Sequence, residues 1–187
     1  MKRIYSDMSD DELFGLMGQD SHKAEGCFAE LYARHSPRVN AYCKRIMGDK
    51  MAAQDAFQET FTKFFKSASQ ERNMTNTPAF LLRIARNVCL NMKRGEKKTV
   101  EIEDFHLPSE SPAYEKSELL KLIMSALELV PFDYREAFVL REYDGLSYQE
   151  IADVTETSMA TVKIRIFRAK DKLRQILAPY LHDLNKV

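Results

Sequence analysis

The chain is expected to be all-α, with two small helical domains joined by a flexible acidic linker. Three observations carry that expectation. Apolar residues recur at three- and four-residue spacing, and no stretch alternates apolar and polar residues as a half-buried strand would. Helix-starting signals recur along the chain: Ser9 with Glu12, Pro37, Asp49, Thr77-Pro78, Pro131, and Ser147 with Glu150. Charge is partitioned, with 17 basic and 12 acidic groups in residues 1–98, one and six in residues 99–118, and ten of each in residues 119–187. The boundaries follow as a domain over 1–98, a linker over 99–118 and a second domain over 119–187.

Taken in order, Ser9 and Glu12 form a capping box ahead of a short helix that Gly15 and Gly18 weaken. Phe28, Leu31 and Tyr32 fall at helical spacing in the next segment. Ser36-Pro37 then restarts a helix through Arg38–Met47, with Gly48 just past its end. Asp49 caps a helix from Lys50 to about Lys66 that has two faces. Phe57, Phe61, Phe64 and Phe65 form the buried one, and Asp55, Gln58, Glu59, Thr62 and Lys66 lie opposite.

Residues 67–76 are polar and form a loop. Thr77 caps and Pro78 opens a helix through Met92, with Phe80, Leu81, Ile84, Val88 and Met92 as its buried stripe. Between Arg83 and Lys98 stand six basic residues (Arg83, Arg86, Lys93, Arg94, Lys97, Lys98) against Glu96 alone. A basic helix after a polar loop suits single-stranded nucleic acid. A solvated helix end with cations at its C-terminus explains this segment equally well. The linker carries prolines and acidic residues without helical period. Ser117 caps the next helix and Pro131 opens the one after it.

The most informative stretch runs from Leu146 to Arg174. Gly145 ends one helix, and Ser147 with Glu150 caps a short next one. Ser158 caps a longer helix to about Leu177. Two helices about three residues apart, the second basic, have the layout of a helix-turn-helix. Projected at 100° per residue, Val162, Ile166, Ala169, Leu173 and Ile176 form the buried arc. Ala160, Thr161, Ile164, Phe167 and Arg168 lie opposite, flanked by Lys163, Arg165 and Lys172. Six cations face one acid, Asp171, and two apolar side chains point away from the core. A solvated face would carry polar groups there, whereas a helix in a major groove needs cations for phosphates and apolar atoms for thymine methyls.

Other classes are poorly supported. No run of about 18 apolar residues exists to span a membrane, and the amino terminus lacks a signal-peptide core. Cys27, Cys43 and Cys89 have no zinc-finger spacing and suit buried thiols in a reduced cytoplasm. His22, His35, His106 and His182 are dispersed, and no Gly-rich phosphate loop or Ser/His/Asp grouping marks an enzyme. No catalytic residue, metal site or cofactor is expected. A DNA-binding regulator with a helical sensor domain would account for the C-terminal half, but would leave the basic Arg83–Lys98 stretch and the acidic linker without purpose.

Four pieces in this order, DAFQETF, IARN, GLSYQEIA and TVKIRIFRA, resemble the extracytoplasmic-function (ECF) sigma factors of bacterial RNA polymerase. The resemblance covers nearly the whole chain. It implies that Asp55, Gln58, Glu59 and Thr62 dock on bacterial core RNA polymerase. It implies that the loop from Ser67 to Thr77, with Arg83, Arg86, Asn87, Lys93 and Arg94, holds the melted −10 strand of promoter DNA. Ser158, Thr161, Lys163, Ile164, Arg165, Phe167 and Arg168 would serve the −35 duplex, and the linker would thread toward the RNA exit path. An anti-sigma factor is a further partner that the resemblance raises and the sequence leaves open. Two positions depart from the family pattern: Ile164, where a small polar residue is usual, and Ala160, where glycine is common.

Overall fold

The computed structural model describes residues 5–71, 75–95 and 115–184. Eight helices are present among them and no strand: α1 (Asp10–Gln19), α2 (Ser21–Met47), α3 (Lys50–Ser67), α4 (Thr77–Gly95), α5 (Glu115–Glu128), α6 (Phe132–Glu142), α7 (Tyr148–Thr155) and α8 (Met159–Leu184). The acidic linker expected over 99–118 lies mostly outside the described residues, and its last part, from Glu115, already belongs to α5. Ser117 is therefore inside that helix rather than its cap.

Caps account for several helix starts. Ser9 and Glu12 close a reciprocal capping box at α1, and Ser147 and Glu150 close another at α7. Asp20 caps α2 through the His22 amide, and Asp49 caps α3 through the Ala52 amide. At α4 the cap is Asn76, whose side chain accepts from the Ala79 amide. Thr77 is one residue inside, where its amide and hydroxyl donate to Asp11 of α1 at 2.8 and 2.7 Å.

One proline departs from the expectation that it restarts a helix, and a second lies inside a helix that is longer than expected. Pro37 sits inside the continuous α2, and Pro179 sits inside α8, which runs seven residues past Leu177. A mid-helix proline removes one backbone bond and crowds the preceding turn. In α2 the packing on both sides of Pro37 overrides this, because Leu31 before it and Val39 and Tyr42 after it are all buried in one core.

In the N-terminal body α1 packs on α2, α2 on α3, and α3 on α4. Phe14 sits between Phe64, at 5.1 Å, and Phe80, at 5.8 Å between ring centroids. Phe28, Tyr32, Phe57, Phe61 and Phe65 continue the aromatic cluster outward. Phe61 and Phe64 are buried as expected, but Phe65 is substantially exposed. Arg34 of α2 fastens the residues ahead of α1, donating to the carbonyls of Tyr5, Ser6 and Met8 and to the carboxylate of Asp10.

In the C-terminal body α8 packs on α5, α6 and α7. Val162, Ile166, Ala169 and Leu173 are buried, in agreement with the helical projection. Glu156 takes a left-handed conformation, φ 54°, in the three-residue turn between α7 and α8. The two bodies are also packed on each other, α4 against α7 and α2 against α6. Leu82, Ala85, Val88, Ile151 and Val154 all belong to one hydrophobic cluster. α4 is thus buried on a wider arc than its single predicted stripe.

The two glycines of α1 have opposite environments. A Cβ at Gly15 would meet nothing within 4 Å, whereas one at Gly18 would collide with the Ala68 carbonyl at the end of α3. Gly15→Ala should therefore raise stability by about 0.5–1 kcal/mol through helix propensity. Gly18→Ala should lower it by about 1–3 kcal/mol through overpacking. Urea unfolding midpoints check this, and equal signs for both substitutions would contradict the packing of α1 on α3.

Candidate nucleic-acid interface

α8 is the second, basic helix of the expected helix-turn-helix, and its first turn is built by Ser158. The Ser158 hydroxyl accepts from the Thr161 amide at 3.1 Å and bonds the Thr161 hydroxyl at 2.8 Å. Both hydroxyls therefore hold the helix start, and Ser158 remains exposed. Ile164 is 59% exposed and Phe167 67%, with Met159 and Arg168 also open to solvent on the outer face. Lys163 lies over the Tyr148 ring of α7 at 5.5 Å, which keeps its ammonium at the junction of the two helices. Arg165 turns inward: its guanidinium is 3.3 Å from Asp133 of α6, and one of its terminal nitrogens is buried without a hydrogen-bond partner. Arg165 thus braces α8 against α6, while Ile164, Phe167, Arg168 and Lys163 make up the open face.

The cations of α4 divide in a similar way. Arg83 is exposed, with its guanidinium 5.7 Å from the Phe80 ring centroid, and Asn87 and Arg94 are exposed. Lys93 donates to the Met47 carbonyl at 3.2 Å, tying α4 to the end of α2. Arg86 is buried between the two bodies, and its Nε lies 3.1 and 3.2 Å from the two carboxylate oxygens of Glu136. The positions expected to act as one strand-holding group therefore comprise exposed Arg83, Asn87 and Arg94 and inward-turned Arg86 and Lys93. Part of the preceding loop, residues 72–74, and the basic pair Lys97-Lys98 lie outside the described residues.

On α3 the structure brings Asp55, Gln58, Glu59 and Thr62 together on one exposed face, opposite buried Phe61 and Phe64. Glu59 pairs with Lys63 at 2.7 Å, and the Thr62 hydroxyl donates back to the Gln58 carbonyl. The face is a solvated, polar helix surface with two carboxylates, Asp55 and Glu59, among its four side chains.

Sequence reasoning missed the polar contacts between the bodies. Glu136 is fully buried and accepts from the Tyr42 hydroxyl at 3.0 Å in addition to Arg86. Burial pushes its carboxyl above the ordinary range, and Arg86 and Tyr42 oppose that rise. Arg38 donates to the Asp144 carboxylate at 3.2 Å and to the Asp144 carbonyl at 3.1 Å, and Arg45 stacks over the Tyr143 ring at 4.0 Å. One signal was available: Glu136 stands four residues before Leu140, on the buried stripe of its own helix. A charge there calls for a partner from elsewhere, although spacing cannot say which.

No grouping of His, Cys, Asp and Glu among the described residues could hold a metal ion. No described helix is long and apolar enough to cross a membrane.

Residues 31–99 match the family described as sigma-70 region 2, and residues 120–173 match sigma-70, region 4. The ECF RNA polymerase sigma factor SigE of Mycolicibacterium smegmatis is 34% identical over 159 residues, covering 81% of this chain and 62% of that protein. The RNA polymerase sigma factor CarQ of Myxococcus xanthus is 30% identical over 158 residues, covering 82% of this chain and 91% of that protein. Among solved structures, the sigma factor RpoE of Bartonella quintana, crystallised with the anti-sigma factor NepR, shares the fold. Its TM-score is 0.66 at 24% identity, covering 81% of this chain and 96% of that one.

Proposed function

The chain belongs to the ECF family of RNA polymerase sigma factors, promoter-specific transcription initiation factors rather than enzymes, and we propose how it divides that work among its helices. The N-terminal domain, residues 1–98, binds core polymerase through α3 and holds the melted −10 strand along α4. The C-terminal domain, residues 119–187, reads the −35 duplex with α8. The acidic segment between them runs toward the RNA exit path, and the protein works in the cytoplasm. An anti-sigma factor is a candidate partner, as in the complex of the Bartonella quintana protein. The observation that carries the reading is the outer face of α8, where exposed Ile164 and Phe167 stand beside exposed Arg168 and Lys163. Apolar atoms for base methyls next to cations for phosphates are what a major groove accepts.

The exposed polar face of α3, with Asp55 and Glu59 on it, supports the polymerase contact. Asp55→Lys with Glu59→Lys should weaken capture of core enzyme about tenfold or more while helicity is retained. Undiminished pull-down would remove α3 from that role.

Strand holding and duplex reading should come apart in the reconstituted holoenzyme. Arg83→Ala and Asn87→Ala should reduce permanganate reactivity of the −10 strand yet leave closed-complex formation intact. Arg168→Ala should weaken duplex binding first, and Lys163→Ala should also flatten its salt dependence by about one unit if the ammonium meets a phosphate. If all four variants lose both signals in parallel, the division of labour is wrong.

Ile164 offers the sharpest test of the groove contact. An exposed β-branched apolar side chain contributes little to folding, so Ile164→Ser should change stability by no more than about 0.5 kcal/mol. Against a thymine methyl it should contribute about 1 kcal/mol of specific binding. Replacing the contacted thymine by uracil should then weaken the wild type and not the variant. An equal response from both would place Ile164 outside the groove.

A further inference from the structure

Within the duplex reading proposed above, on which this inference rests, the cations of α8 fall into two groups. Lys163, Arg168, Lys172 and Arg174 are exposed and pair with no carboxylate among the described residues. Arg165 and Lys170 each meet an acid of α6, the helix packed along α8. Lys170 lies 2.8 Å from Glu142, with both side chains well open to water. A pair of that kind contributes little and yields readily to a phosphate.

The pair of Arg165 is of another kind. Its guanidinium lies 3.3 Å from Asp133, and its side chain keeps only 19% of its exposure. One terminal nitrogen is buried there with no hydrogen-bond partner. An unsatisfied donor is unfavourable, and water or a phosphate would satisfy it. The guanidinium stays inside the contact all the same, and Asp133 is the carboxylate that faces it among the described residues. Asp133 itself is 53% exposed and stands in the first turn of α6, where an acid is favourable in its own right.

Where that guanidinium points matters for how a duplex is chosen. A cation that meets a phosphate strengthens binding to any sequence, and each contact adds about 0.9 to the slope of log affinity against log salt. Sequence is read at base edges, here by the face that carries Ile164 and Phe167. A specific complex is fixed in register by those base contacts. A non-specific one shifts to whatever phosphates its free cations reach, so an added cation beside the reading face helps wrong sites more than the right one.

We propose that Asp133 is a positioning residue for sequence discrimination: it holds the Arg165 guanidinium against α6 and so keeps one cation of α8 off the DNA backbone. Without the Asp133 charge, Arg165 turns outward to a phosphate, and duplex binding becomes tighter, more salt-dependent and less selective.

The test measures the full chain on a fluorescent random duplex of about 30 base pairs, between about 50 and 200 mM salt. The reconstituted holoenzyme is measured on a promoter fragment from a mapped start site, with random duplex as competitor. Asp133→Asn keeps the shape and an oxygen facing Arg165. It should bind random duplex about tenfold more tightly at about 50 mM salt, with a slope steeper by about one unit. Random duplex should compete at about threefold lower concentration or less. Asp133→Glu should restore the parent slope. In an Arg165→Met background, Asp133→Asn should change neither affinity nor slope.

An unmoved slope in Asp133→Asn overturns the proposal. So does tightening that persists without Arg165, which would mean that Asp133 acts by its own charge. Tighter random binding with unchanged competition overturns the role in discrimination. If Asp133→Asn loses helicity by circular dichroism, Asp133→Ser decides by the same slope. Arg168→Ala, measured alongside, separates this inference from the reading beneath it. Undiminished promoter binding there removes α8 from the duplex and the proposal with it. Weakened binding there, beside an unmoved Asp133→Asn, removes the role of Asp133 alone.

Discussion

A single buried carboxylate organises the way this chain is put together. Glu136 lies in α6 on the same stripe as buried Leu140, fully removed from water. A carboxylate in that position loses hydration worth several kcal/mol and is tolerated only when donors replace the water. Tyr42 and Arg86 supply them, and they come from α2 and α4. Removing either charge would leave the other stranded, at a cost of about 3–5 kcal/mol. The relative placement of α2, α4 and α6 is constrained accordingly, and Leu82, Ala85, Val139 and Ile151 share one hydrophobic cluster around that join.

The same chemistry sorts the basic residues. An arginine facing a buried acid is a structural element, and one facing solvent is available to a phosphate. On α4 that difference separates Arg86 from Arg83, three residues apart. On α8 it separates Arg165, which reaches Asp133, from exposed Arg168. Neither helix presents all of its cations to a ligand, so a basic count overstates the electrostatic surface of both. What remains outside on α8 is a compact apolar and cationic face, and on α3 a polar one that carries Asp55 and Glu59. A family of initiation factors that must meet both DNA and polymerase needs surfaces of both kinds.

Much of this was legible because it is local. The capping boxes at Ser9 and Ser147 and the cap at Asp49 depend on residues three apart, and each is present. The inward arc of α8 follows from 3.6-residue periodicity alone, as do the exposed positions of Ile164 and Phe167. The misses arise where distant residues decide. Pro37 would end an isolated helix, but burial of Leu31 and Val39 in a shared core carries α2 through it. Thr77 has the composition of a cap, but Asp11 of α1 takes its amide and hydroxyl, and Asn76 does the capping. Arg86 belongs by spacing with Arg83, and only the approach of α6 separates their roles. The packing of the two halves has no sequence signal beyond one misplaced glutamate.

Promoter-directed initiation is the central claim, and mapping RNA 5′ ends addresses it most directly. Core polymerase reconstituted with this protein should initiate on genomic template at a discrete set of positions, each preceded by a shared pair of short elements about one −10 to −35 spacing apart. Those starts should vanish when the protein is omitted. A set of start sites that is the same with and without the protein would contradict the account.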